Sequence, residues 1–171
     1  MKPEERKLVN AKQKEFYDTK QKNVATRLWS YFRNGALNRI KKDIGIERDI
    51  YELHKIWFGD LSDKKVLDLG CYAGNSLSFY LAQNSKEYLG IDLSPKGINN
   101  LSRRLEKLPG ARAKVVDFLS EDFKEKKFDL IYAYGVLHHF KDVDELIAKL
   151  QEKLSHRSEE HTSELQSPLD I

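Results

Sequence analysis

Short apolar runs and longer amphipathic stretches alternate along the second half of the chain. Helical periodicity covers 75–82, 96–108 and 142–154. The runs between and before them have strand length and cover 65–70, 87–92, 113–117 and 128–133. This order predicts parallel strands joined by right-handed crossovers. Because the strands are apolar almost throughout, we expect a doubly wound α/β sheet covered on both faces.

The N-terminal part of the chain has a helical pattern without strand-like alternation. Apolar residues recur at helical spacing over 3–43, and Asn34-Gly35 predicts a break within that helix. Trp29 adds to its apolar face, and core packing is expected for this side chain. A further helix is predicted over 50–58 and ended by Gly59-Asp60. Its apolar side consists of Ile50, Leu53, Ile56 and Trp57.

Composition indicates a globular protein of the cytosol. The 171 residues are enough for one domain, with 40% hydrophobic and 33% charged residues. No apolar run approaches the roughly 20 residues of a membrane span, and the N-terminus lacks the apolar stretch of a secretory signal. The single cysteine, Cys71, cannot form an internal disulfide. We therefore expect a cytoplasmic protein without membrane association.

Positive charge is concentrated near the N-terminus. The net charge is +3, but residues 1–48 contain 13 Lys or Arg against 6 Asp or Glu. Such a basic arm can attract nucleic acid or an anionic substrate. A solvated helix surface has the same composition, so both interpretations stay open.

Three aspartates stand at or near the ends of successive predicted strands. Asp68, Asp92 and Asp117 are separated by 24 and 25 residues, each enough for one crossover. In an open parallel sheet, ligands bind beyond the carboxyl ends of the strands. A single aspartate there is usually a turn or helix cap, but three in register predict a binding edge.

A glycine-containing turn follows the first strand. It reads Asp68-Leu69-Gly70-Cys71-Tyr72-Ala73-Gly74. Glycine allows a tight turn and a close approach of the backbone to a ligand. The turn lacks the P-loop lysine and the G-x-G-x-x-G pattern, and Asp68 would repel a pyrophosphate. It is better suited to a nucleoside that carries positive charge.

Four segments, taken in order, resemble the class I S-adenosylmethionine-dependent methyltransferases. They are VLDLGCYAGNSLSFYLA, YLGIDLSPKGI, VVDFLSEDF and FDLIYAYGVLHHF, within residues 64–154. The resemblance implies a Rossmann-like fold and S-adenosyl-L-methionine as cofactor. It also implies that Asp68, Gly70, Tyr72 and Gly74 hold the methionine end and that Asp92 accepts the ribose hydroxyls. By the same resemblance, Asp117 accepts the adenine amino group, Leu93 and Phe118 flank the ring, and Ala133 and Tyr134 line the methyl-donor site.

The chain departs from the family pattern at one position. Tyr72 stands where the family usually has its middle glycine, so its contact with the cofactor is open. Cys71 is interpreted as a small residue that fits the turn, because no nearby cation would activate its thiol. His138 and His139 are adjacent, which is poor spacing for a metal on a helix, so no metal is expected. They are weak candidates for a general base, beside a structural role.

The resemblance leaves the acceptor open. The N/D-P-P-Y/F motif, similar to that of enzymes that methylate nucleic-acid bases or glutamine, is replaced by Tyr132-Ala133-Tyr134-Gly135. We expect a small-molecule acceptor, with Phe16-Tyr17 as candidates for a lid over the cofactor. The alternatives are an RNA or protein methyltransferase that uses the basic arm, or a nucleoside-binding module without turnover. A nicotinamide-dependent dehydrogenase ranks below these because its pyrophosphate would meet Asp68.

The predicted organisation has three parts. Residues 1–48 form a helical lid or extension, 49–156 a partial methyltransferase domain, and 157–171 an artefactual or disordered tail. The tail begins RSEEHTSELQS, which matches the translation of a sequencing adapter. The resemblance implies seven strands and four are predicted here, so we expect a truncated fold. Residues 128–133 are then expected to form an exposed apolar edge.

Overall fold

The computed structural model describes residues 3–19, 24–45, 50–120 and 123–155. Six α-helices, four β-strands and one short 3-10 helix at Leu137–His139 lie within these ranges. The helices are α1 (Pro3–Thr19), α2 (Val24–Asp43), α3 (Ile50–Phe58), α4 (Ser76–Asn84), α5 (Pro95–Leu105) and α6 (Val143–Lys153). The strands are β1 (Lys65–Leu69), β2 (Glu87–Asp92), β3 (Ala111–Val115) and β4 (Leu130–Tyr132). The predicted tail, 157–171, lies outside the described residues.

The four strands form one parallel sheet in the order β3-β2-β1-β4. Leu67 pairs with Leu89 on one side and with Ile131 on the other, and Asp68 lies beside Tyr132. The order reverses between β1 and β4, so the carboxyl ends of these strands border the switch point where α/β sheets bind ligands. The predicted α/β class and parallel sheet are therefore confirmed.

Alternate residues of each strand supply two separate cores. Val66 and Tyr88 face α4 and α5 and pack with Leu77, Leu81 and Leu101. Leu67 and Ile91 face the opposite way and pack with Phe118, Phe123, Phe128 and Leu146. This alternation follows from the two-residue period of a strand, and it explains why the strands are apolar almost throughout.

Side-chain caps fix the starts of three helices. The Asn75 side chain accepts the Leu77 and Ser78 N–H groups of α4, and Ser78 returns a bond to the Asn75 backbone. Ser94 accepts the Gly97 N–H of α5, and Asp142 accepts the Glu145 N–H of α6. Because these caps lie directly after strands or turns, they set the direction in which each helix leaves the sheet.

Two helix predictions are wrong in detail. Helix α2 runs from Val24 to Asp43 without the break expected at Asn34-Gly35. Gly35 has open space around its Cα, so no packing contact forces a turn there. Helix α3 has the predicted bounds, but Ile56 and Trp57 are exposed. Its packed side instead carries Tyr51 and Phe58, which contact the core on the α4 side.

The expected exposed edge at the fourth strand is only partly present. Phe128 is fully buried in the α6-side core, and its backbone N–H donates to the Lys153 carbonyl while its carbonyl accepts from the Ser155 N–H. Residues that follow α6 thus pair in parallel with Phe128. The strand itself is shorter than predicted, at Leu130–Tyr132. Among the described helices, none has the length and apolar character needed to cross a bilayer.

Candidate cofactor site

A cleft of about 620 Å³, counting the space open to solvent, lies at the carboxyl ends of β1, β2 and β3. Two of the three predicted carboxylates, Asp92 and Asp117, line it. Leu93 and Phe118, predicted to flank a nucleoside base, line the same cleft, as does Gly70. The sequence prediction that these residues converge is therefore met in the geometry, whereas their contacts with a cofactor stay predictions.

Asp92 holds the turn that follows β1. Its Oδ2 accepts the Tyr72 N–H at 3.0 Å, and its Oδ1 accepts the Ser94 N–H at 2.8 Å. Burial raises the pKa of this carboxyl, and these backbone N–H donors oppose the rise. Since a carboxylate oxygen has two acceptor positions, both oxygens can still receive hydroxyl donors from the cleft. Asp92 thus fits a vicinal diol such as that of ribose.

Asp117 lies two residues beyond the end of β3 and is fixed from two directions. Its Oδ1 accepts the Leu119 N–H at 3.0 Å, and its Oδ2 accepts the Asn10 side-chain amide at 2.8 Å. The next residue, Phe118, is buried and packs against Phe123 with ring centroids 5.5 Å apart. An oriented carboxylate beside an aromatic wall is suited to a flat base that carries an amino group.

Asp68 does not line the cleft. Its side chain points to the α4 and α5 side of the sheet, is 3% exposed, and accepts the Tyr88 hydroxyl at 2.7 Å. Burial raises its pKa to about 6, although Ser78 and Tyr88 favour the charged form. An ionised carboxylate there requires a positive partner to offset its lost hydration. The position is compatible with the predicted ammonium contact, which stays a prediction.

The turn between β1 and α4 has three residues with positive φ: Gly70 at 74°, Tyr72 at 46° and Gly74 at 77°. A tyrosine in this region is strained, because its Cβ crowds the backbone. The Tyr72 ring lies against the start of α5, where a Cβ on Gly97 would meet it at 2.5 Å. Tyr72 does not line the cleft, so the family's middle glycine is replaced here by a packing contact with α5.

The methyltransferase domain family model matches residues 67–158. The chain belongs to this family. Among its relatives, tocopherol O-methyltransferase of Arabidopsis thaliana is 32% identical over 90 residues, or 51% of this chain and 26% of that protein. An uncharacterized methyltransferase of Synechocystis, sll0829, is 31% identical over 66% of this chain and 53% of its own length. The chain thus spans about half or less of these relatives.

Solved structures share the fold of this methyltransferase domain. A TehB-like S-adenosylmethionine-dependent methyltransferase of Corynebacterium glutamicum is 25% identical, with a TM-score of 0.51 over 73% of this chain and 68% of that one. Magnesium protoporphyrin IX methyltransferase of Synechocystis is 18% identical, with a TM-score of 0.57 over 86% of this chain and 72% of its own. The second likeness concerns the fold alone. Together they confirm the Rossmann-like assignment.

Helix α1 covers the cleft of the methyltransferase domain. Asn10, Gln13 and Lys14 line it, and Gln13 donates to the His139 carbonyl at 3.1 Å. At its far end, Ser94 Oγ donates to Asp18, and Lys96 donates to the Asp18 carbonyl at 3.0 Å. Polar residues of α1 therefore line the cleft, and the role of residues 1–48 as a lid stays a prediction. Of the predicted lid residues, Phe16 is mostly exposed, and the Tyr17 side chain lies outside the described part.

The two histidines differ in position. His139 lines the cleft, whereas His138 is exposed, and their ring centroids are 3.9 Å apart. Burial, followed by the neighbouring His138, lowers the pKa of His139, which favours a neutral imidazole. Groups of three or more metal-ligating side chains are absent from the described residues. A general base at His139 stays a prediction.

Ala133 and Tyr134, which are predicted to line the methyl-donor site, do not line the cleft. Ala133 packs into the α6-side core, and Tyr134 is 44% exposed next to Tyr132. Cys71 is buried, and burial with the nearby Asp68 and Asp92 raises its thiol pKa, so the thiol is protonated and unreactive. Trp29 is 68% exposed, so the expectation that it packs in the core is wrong.

Replacing Asn10 by alanine is expected to weaken binding of S-adenosylhomocysteine about threefold to tenfold, within the net worth of an ordinary hydrogen bond, because the Asn10 amide orients Asp117. Isothermal calorimetry measures this. Gln13→Ala is the matched control, since its amide bonds the His139 carbonyl and not a predicted cofactor ligand. Tighter binding by Asn10→Ala would contradict the prediction and show that Asn10 competes with the cofactor for Asp117.

Proposed function

We propose that this methyltransferase domain transfers the methyl group of S-adenosyl-L-methionine to a small-molecule acceptor. The observation that carries the proposal is the pair of oriented carboxylates, Asp92 and Asp117, in one cleft at the sheet edge. The family assignment supports the same reaction, as does the 25% identical S-adenosylmethionine-dependent relative. Tocopherol O-methyltransferase among the relatives favours a small acceptor.

The residues present fit this cofactor. Asp92 would accept the ribose hydroxyls, because its carboxylate lines the cleft and is oriented by backbone N–H groups. Asp117 would accept the adenine amino group, with Leu93 and Phe118 along the base. Asp68 would face the ammonium of the methionine end. The turn after Asp68 lacks the G-x-G-x-x-G pattern of a pyrophosphate-binding loop, which argues against nicotinamide chemistry.

Positioning and exclusion of water are the contributions expected from this chain. The bound cofactor supplies a methyl group on a positively charged sulfur, which is already electrophilic. The residues of α1 cover the cleft and limit the access of water. The turn from Gly70 to Gly74 and the carboxylates fix the cofactor so that the acceptor meets the methyl group in line. A neutral His139 can take up a proton where the acceptor requires it.

The cofactor assignment is tested by calorimetry on a protein that contains residues 1–156. S-adenosylmethionine or S-adenosylhomocysteine should bind, and NAD should not. The reason is that Asp117 accepts an amino donor, whereas the turn from Gly70 to Gly74 lacks the glycine pattern that binds a pyrophosphate. Tight binding of NAD without binding of either sulfur cofactor would overturn the proposal. A second assay distinguishes a nucleoside-binding module, which would bind the cofactor and release no methylated product from any acceptor pool.

The dependence of RNA binding on salt concentration tests the class of acceptor. Binding of RNA through the basic arm would weaken steeply as salt rises, because counterions are released. We expect no such complex at physiological salt. A salt-sensitive, submicromolar RNA complex that is lost when residues 1–48 are removed would replace the small-molecule acceptor by RNA.

A further inference from the structure

We infer that the acceptor binds on an aromatic surface between α3 and the end of β4, and that this surface takes an ammonium or amine group. The aromatic surface consists of Tyr51, His54, Tyr132 and Tyr134. Two of these residues, Tyr51 and His54, belong to α3 and lie outside the segment matched by the family model. The inference rests on the proposed function, because it places the acceptor relative to the cofactor cleft.

The location follows from the sheet register. Tyr132 is the neighbour of Asp68 across the β1–β4 pair, and both side chains face the α4 side. Asp68 is the residue predicted to meet the methionine end of the cofactor. The nucleoside end lies on the other side, at Asp117, where α1 covers the cleft. The aromatic surface is therefore next to the end that carries the transferable methyl group.

The rings contact one another, and the Tyr132 hydroxyl lies 3.5 Å from His54 Nδ1. His54 meets the rings of Tyr134 and Tyr132 edge-on, with centroids 5.6 and 6.0 Å away. Tyr51 meets Tyr134 edge-on at 6.1 Å, and Tyr132 and Tyr134 are nearly parallel at 6.1 Å. Burial, then the nearby Asp68 and the neighbouring tyrosines, raises the pKa of Tyr132, so its hydroxyl stays protonated.

Part of this surface is open to a ligand. Tyr132 forms its floor, at 9% exposed, whereas Tyr134 is 44% exposed at its rim. Tyr51 and His54 are half-buried between them. A ligand that reaches this surface from solvent would therefore meet the Tyr134 ring first.

The charge distribution selects the class of ligand. Aromatic faces carry a negative quadrupole and attract cations, most strongly where water is excluded. The neighbouring cation of α3, Lys55, is paired with Glu52 at 2.6 Å and lies over the Tyr80 ring at 5.4 Å. The surface thus favours a positively charged or basic nitrogen over a carboxylate or phosphate.

The test compares three probes of the same shape: choline, neutral 3,3-dimethylbutan-1-ol and anionic 3,3-dimethylbutanoate. Saturation-transfer NMR follows each probe in the presence of saturating S-adenosylhomocysteine. We expect choline to bind about threefold to thirtyfold more tightly than the neutral probe, the range of one cation–π contact. The anionic probe should bind most weakly.

Two variant pairs locate the effect. Tyr134→Leu and Tyr51→Leu should abolish the preference for choline, whereas Tyr134→Phe and Tyr51→Phe should retain it because the ring faces remain. The two Tyr134 variants are less disruptive to folding than the Tyr51 variants, since the Tyr134 ring is half-exposed. S-adenosylhomocysteine affinity of the Tyr51 variants should match the parent protein, which separates the acceptor surface from the cofactor site.

The outcomes are distinct. Equal binding of the three probes, or preference for the anionic one, in a protein that binds S-adenosylhomocysteine overturns the inference alone. Choline preference that survives in the leucine variants also overturns it, because the site would lie elsewhere. Failure to bind S-adenosylhomocysteine overturns the proposed function, and the inference with it.

Discussion

Replacing Asp68 by asparagine is expected to raise the stability of the protein at pH 7 by up to about 3 kcal/mol and to leave it nearly unchanged near pH 4. The carboxyl is 3% exposed, and burial raises its pKa from 3.8 to about 6. The folded state therefore binds this proton more tightly than the unfolded state does. Its stability contribution is full below pH 4 and is lost as the pH rises to 6.

Asparagine removes this dependence because it carries no charge at either pH and still offers an oxygen to the Tyr88 hydroxyl. The free energy of unfolding is measured in urea for both proteins at half-unit steps from pH 4 to pH 7.5. The difference between the two proteins should grow through the window from 4 to 6 and then level off. A difference that is constant with pH, or an asparagine variant that is less stable at pH 7, would show that Asp68 is not the titrating group.

The same variant connects stability with function. A buried ionised carboxylate is costly unless a positive group meets it, and the methionine ammonium of the cofactor is the predicted partner. Binding of S-adenosylhomocysteine to the parent protein should therefore strengthen from pH 5 to pH 7, as Asp68 ionises. In Asp68→Asn the affinity should be weaker and flatter over this range. Equal affinity in both proteins would place the ammonium elsewhere.

Residues that act locally explain most of what the sequence could predict. The bounds of α3 were predictable because Gly59, at φ 61°, ends the helix. Asp92 and Asp117 were predictable as cleft residues because successive parallel strands end at the same sheet edge. The third strand was predicted two residues late, since Gly110 sits against the Lys86 carbonyl and pairing already starts at Ala111.

Tertiary contacts explain what the sequence could not predict. Asn10 bonds Asp117 across 107 positions, and nothing in the pattern of α1 marks that asparagine. In α3, hydrophobicity favoured Ile56 and Trp57 as the packed side, but the sheet meets Tyr51 and Phe58 instead. Tyr51 combines a ring that contacts the core with a polar hydroxyl, so a count of apolar residues does not mark it as part of the packed face.

Replacing Asp92 by alanine is expected to weaken S-adenosylhomocysteine binding by about 1.5–3 kcal/mol, or roughly 10- to 150-fold, as the ribose loses a charged acceptor. The variant also frees the Tyr72 and Ser94 N–H groups, so the turn itself could account for a loss.

A cofactor analogue without the two ribose hydroxyls separates these causes. If Asp92 accepts the hydroxyls, the variant and the analogue each remove the same contact. Their losses of binding free energy are then not additive. Asp60→Ala is the matched control, since that exposed aspartate accepts the Ser62 N–H far from the cleft. Additive losses would mean that Asp92 only holds the turn and that the ribose is bound by other residues.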